Sequence, residues 1–109
     1  MPPTATLVPP TPTASAKVPT APYSVRIVSG LVEWQHDGQN VTNYAIYRDE
    51  CNLDGTNCSG FLRLRIVGVG ERSTRADTAG PGKLWCFAVA ASGAQGESAQ
   101  VRANVCIKT

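Results

Sequence analysis

The sequence predicts an all-β fold of seven antiparallel strands in two packed sheets, and three observations carry that prediction. Trp85, Phe87, Val89 and Ala91 alternate along one face, and after a Gly-rich break at 92–98 Val101, Ala103, Val105 and Ile107 do the same, which is the pattern of a β-hairpin. From Tyr23 onward, short β-prone runs recur between turn signals such as Ser29-Gly30 and Asp37-Gly38-Gln39-Asn40. No stretch carries apolar residues at a competing helical period.

Taken in order, residues 1–21 read as a Pro/Thr-rich linker, extended or disordered, and 22–109 as the sandwich. Residues 2–22 hold seven of the eight prolines, with threonine, serine and alanine between them. Such a segment has little to bury and favours extended polyproline II, a semi-rigid spacer. Its Thr and Ser content also suits an O-glycosylated stalk, against the plainer reading of an unmodified linker. Met1 directly before the tract reads as the start of a cut fragment, with an export signal upstream. The strands are then expected at 24–28, 31–35, 42–48, 61–67, 73–77, 84–91 and 100–107. Alternation puts Val25, Ile27, Val32, Trp34, Tyr44 and Ile46 inside, with Trp34 at the centre, and adds Trp85, Phe87, Val89 and Val105 from the closing hairpin.

A chain of 109 residues with a globular part of roughly 85 makes one domain, large enough to fold alone but only marginally. A net charge of +2 argues against nucleic acid as a partner. Four cysteines in so short a chain point to an oxidising, extracellular setting. Zinc would want short C-x-x-C spacings or several histidines, whereas six and nineteen residues lie between the successive cysteines of Cys51/Cys58 and Cys86/Cys106, and His36 is the only histidine. There is no apolar run for a membrane span, and nothing in the sequence asks for a cofactor.

The segment Val18-Pro19-Thr20-Ala21-Pro22, Val32-x-Trp34 on the second strand, Tyr44-x-Ile46-Tyr47-Arg48 on the third and Ser73-Thr74-x-x-Asp77 on the fifth stand in a telling order. With the sixth strand and its Gly96-x-Ser98 exit, they resemble a fibronectin type III domain over about residues 19–108. The resemblance implies an immunoglobulin-like sandwich in which the first, second and fifth strands face the third, fourth, sixth and seventh. It also implies a setting in secreted polysaccharide-degrading enzymes or bacterial surface proteins. One departure stands out: Trp85 occupies the place of a tyrosine whose hydroxyl bonds back to the preceding loop. An indole N–H only donates, so that corner is weakened or rebuilt.

In a hairpin centred on Gly96, Cys86 lies opposite Cys106, both on the face away from Phe87 and Val105. Cys51 and Cys58 bracket an Asp54-Gly55 turn that brings them together. The expected pairs are Cys51–Cys58 and Cys86–Cys106. All four gather at one pole, so spacing leaves Cys51–Cys86 with Cys58–Cys106 open.

Candidate sites are few. Glu50-x-Asn52-x-Asp54-Gly55 looks like the opening of a calcium loop, but the twelfth position is Phe61 rather than a bidentate glutamate, and a solvated turn is the simpler reading. His36 sits before a turn with no nucleophile motif around it, which predicts a surface position and no catalysis. Arg63 and Arg65 alternate along the fourth strand and, with Arg48, are expected to form a basic strip for a sulfated sugar or acidic peptide, or simply a charged edge that discourages aggregation. The loops around His36 and Gln95 are the natural recognition loops of this architecture, yet 92–97 contains no Arg-Gly-Asp, and Arg75-Ala76-Asp77 is not a substitute. Asn40-Val41-Thr42 and Asn57-Cys58-Ser59 fit the N-glycosylation pattern.

These readings point to a non-catalytic extracellular spacer whose partners are neighbouring domains of the same polypeptide, and the resemblance implies a place beside a carbohydrate-active enzyme. Two alternatives stand beside it: a glycan- or protein-binding module using the loops or the arginines, and a subunit of an extracellular assembly joined through its N-terminal tail.

Overall fold

A computed structural model of the chain describes residues 17–109; most of the predicted linker, 1–16, lies outside the described residues. The described residues are all-β, nine strands in two antiparallel sheets. The first sheet has the order β1 (Tyr23–Val28), β2 (Leu31–Gln35), β5 (Ser73–Arg75). The second runs β4 (Leu62–Gly68), β3 (Asn43–Asn52), β6 (Lys83–Gly93), and β6 is then paired on its far side by three short pieces, β7 (Gly96–Glu97), β8 (Val101–Arg102) and β9 (Ile107–Lys108).

The sheets meet through the alternate residues that the period of two selects. Val25, Val32 and Trp34 come from the first sheet, and Tyr44, Ile46, Trp85, Phe87, Val89 and Ala91 from the second. Trp34 packs on Tyr44 with ring centroids 5.5 Å apart. β3 and β6 are buried on both faces, because Ala45, Ala88 and Ala90 on the outer side are small and lie under Tyr47 and Phe61.

Two expectations fail in the closing hairpin. The predicted seventh strand is broken, and Val105, expected in the core, is 51% exposed. Between the pairs Ser92↔Glu97 and Val89↔Val101 the outer chain spends one residue more than β6, and between Ala88↔Arg102 and Trp85↔Ile107 it spends two more. The second stretch contains Asn104, whose N–H donates to the Val25 carbonyl while its Oδ1 accepts from the Ile27 N–H. Asn104 thereby stitches the chain to the edge of β1 and satisfies two of its main-chain groups, and Val105 is turned out with it.

β3 runs ten residues, from Asn43 opposite Ser92 at one pole to Asn52 opposite Lys83 at the other, a span of about 30 Å at strand rise. That axis separates the two places where function is sought.

Candidate functional site

At the first pole the incoming segment is fastened to the sandwich. Pro19 and Pro22 are buried. A Cβ added at Gly96 would touch Val18, and one added at Gly93 would touch Pro19 and collide with the Asn40 carbonyl. The Gly93 backbone can approach the Asn40 carbonyl this closely only because 93 is a glycine, while at 96 a φ of 134° is what favours one. Thr42 closes the same corner, its N–H donating to the Ser92 carbonyl at 2.8 Å.

His36, expected on the surface and as a binding residue, is buried at the centre of this junction. Its Nε2 lies 2.8 Å from the Thr20 carbonyl and its Nδ1 2.9 Å from the Tyr44 hydroxyl, while the Gly38 N–H donates to Nδ1 at 3.0 Å. The ring is therefore a structural tie between the incoming segment, the turn at 36–40 and β3. The Tyr44 phenol is held above the usual tyrosine range by burial, offset by Arg72, which stacks 5.0 Å from its ring centroid, and reinforced by Asp37. Gln95 is exposed at the tip of the neighbouring turn.

At the second pole both predicted disulfides are present, Cys51–Cys58 and Cys86–Cys106. The hairpin closing the first is knit by Asn52 N–H to the Thr56 carbonyl and Ser59 N–H to the Glu50 carbonyl. Asp54, a candidate calcium ligand, instead accepts from the Thr56 N–H and hydroxyl, which hold its carboxyl below the usual range. Glu50 pairs with Lys83. Asp49 and the sulfurs of Cys51 and Cys58 are close together, but the sulfurs are bonded to each other and Asp49 accepts from the Gly60 N–H. Trp85 donates its indole N–H to Thr109 Oγ1 at 3.1 Å, and that hydroxyl donates to the Gly80 carbonyl at 2.7 Å. The corner is rebuilt: a threonine relay does what the donor-only indole cannot.

The arginine strip does not form. Leu64 is an extra residue between the pairs Ile46↔Arg65 and Tyr47↔Arg63, so the two arginines fall on opposite faces of β4. Arg65 turns toward the first sheet, where it pairs with Asp77 and donates to Thr74 and the Arg75 carbonyl. Arg48 joins it there, donating to the Asp77 carbonyl at 2.9 Å with its guanidinium 4.8 Å over Trp85. Together they close the open side between β4 and β5. Arg63 alone stays exposed on the outer face, 3.8 Å from Glu97, which also accepts from the Tyr47 hydroxyl. Burial and that bond raise the Tyr47 phenol above its usual range. Arg48, Glu50, Ser59, Leu62, Arg63 and Leu64 line a shallow cleft of about 260 Å³.

The structural roles of Thr20, Asn104 and Thr109 were not legible in the sequence, because each acts through hydrogen bonds to residues far away along the chain. No protein-family model and no curated protein matches the chain.

Proposed function

We propose that this chain is a non-catalytic spacer of the fibronectin type III kind, which holds neighbouring segments of a larger extracellular protein at a fixed distance and angle. The observation that carries the reading is the placement of the two ends. Residues 17–22 are fastened at the pole of Asn43 and Ser92, and Thr109 is fastened at the opposite pole beside Gly80 and Lys83. A chain held at both poles of a rigid body transmits position along β3 and β6. The family assignment draws support from the membership of the sheets, with β1, β2 and β5 in one and β3, β4 and β6 in the other. Two disulfides suit a protein working in an oxidising space outside the cell.

The two loops nominated for recognition belong to the joint itself, since the turn at 36–40 and the hairpin at 93–96 lie against Val18, Pro19 and Thr20. A second reading rests on the cleft beside Arg63, which offers a guanidinium, a carboxylate and leucine side chains to a glycan or an extended peptide. Glycan and protein arrays, with sedimentation at high concentration, separate the two. A spacer is monomeric and silent. A hit abolished by Arg63→Ala establishes the binding module instead, and oligomers that vanish on removal of 1–16 establish an assembly subunit.

A further inference from the structure

We infer that His36 makes the joint acid-labile: the incoming segment is held at neutral pH and released when the imidazole gains a second proton, an inference that rests on the spacer reading above. The His36 side chain is 0% exposed at the end of β2. The Thr20 carbonyl can only accept, so at 2.8 Å it requires the proton on Nε2. The Gly38 N–H can only donate, so at 3.0 Å it requires a bare lone pair on Nδ1. The pocket thus specifies one neutral tautomer.

A second proton has to be placed on Nδ1. The Tyr44 hydroxyl, 2.9 Å away, can turn to accept it. The Gly38 N–H cannot turn, and is left facing another N–H at 3.0 Å with its acceptor gone. The groups facing the ring come from every neighbouring element. Thr20 lies on the incoming segment, with its hydroxyl 3.4 Å from Nε2, and Tyr44 on β3, where burial keeps its phenol un-ionised. Asp37, its carboxylate 3.7 Å from Nδ1, favours the added proton, but the side chain is half exposed and its Oδ1 already accepts from the Gln39 N–H. Arg72, stacked on Tyr44 and reaching toward Gly38, opposes it with a second positive charge.

A buried cation with a displaced donor beside it is worse placed than one in water. When the ring swings out, Thr20 loses its imidazole partner, and the segment is left with the packing of Pro19 and Pro22 and the approach of Val18 to the turn at 93–96. The docked geometry suits the neutral ring, and a proton on Nδ1 takes away the acceptor that the Gly38 N–H uses. Docking is therefore strongest above the range in which imidazoles titrate, and weakens as pH falls through that range.

The test is the amide-proton-to-nitrogen nuclear Overhauser effect of Val18, Thr20 and Ala21 in the full chain, between about pH 7.5 and about pH 4.5. At the upper pH these residues should match the amides of Ala88 and Ala90. At the lower pH they should lose that rigidity and the Gly38 amide resonance should move, while Ala88 and Ala90 are unchanged. In His36→Gln the mobility of the segment should no longer depend on pH. A segment rigid at both pH values overturns the acid release and leaves the spacer reading standing; a pH transition that persists in His36→Gln also overturns it. A segment mobile at both values overturns the spacer reading itself.

Discussion

Removing each disulfide by paired Cys→Ala substitution should destabilise the module by unequal amounts, and the order is set by the loops they close. Cys86–Cys106 spans 20 residues and Cys51–Cys58 spans 7. Loop-closure entropy then gives about 3.3 kcal/mol for the first and about 2.4 kcal/mol for the second. Packing widens the gap a little, because Cys51 and Cys86 are equally buried but Cys106 is half-buried whereas Cys58 is exposed. Against a typical domain stability of about 5 to 15 kcal/mol, either loss is large. Urea unfolding of the wild type and the two double variants measures it, the change in midpoint being converted with a common slope. A Cys51→Ala/Cys58→Ala variant that loses as much as, or more than, Cys86→Ala/Cys106→Ala would refute the reasoning.

Trp34→Ala should cost about 3 to 5 kcal/mol in the same assay, as the truncation of one of the two largest side chains in the core. Trp34→Phe should cost less than half of that, since it also removes an indole N–H that has no hydrogen-bond partner among the described residues. Gly93→Ala should destabilise by about 1 to 3 kcal/mol and shift the resonances of Asn40 and Thr20, because the new methyl collides with the Asn40 carbonyl. Thermal melts should show stability falling at alkaline pH: Tyr44 and Tyr47 are both raised, chiefly by burial, so the unfolded chain ionises first. That contribution is whole below the unfolded value of about 10 and is lost as pH climbs through the folded values, and Tyr47→Phe should blunt the loss.

What the sequence disclosed depended on how local the cause was. β2 stands at 31–35 as alternation places it, because Val32 and Trp34 are flanked by turns and need no distant partner to choose their face. The Cys86–Cys106 pairing came out as expected for a subtler reason. The turn is tighter than a hairpin centred on Gly96, beginning at Gly93↔Gly96, but the three residues inserted further along restore Cys106 to a place opposite Cys86. Val105 was misplaced by the same insertions, since periodicity is blind to an asparagine that finds its partners on β1. The Leu64 bulge likewise undid the arginine strip, sending Arg65 to Asp77 and leaving Arg63 outside. His36 looked like a turn residue because its partners, Thr20 and Tyr44, are sixteen and eight residues away.

The central claim is that the chain is held firmly at both poles, and backbone residual dipolar couplings at neutral pH test it most directly. The N–H vectors of Val18, Thr20 and Ala21 at one pole and of Thr109 at the other should fit the same alignment tensor as those of β3 and β6. Couplings at either pole that average toward zero while the strands keep theirs would contradict a spacer that fixes the direction of its neighbours.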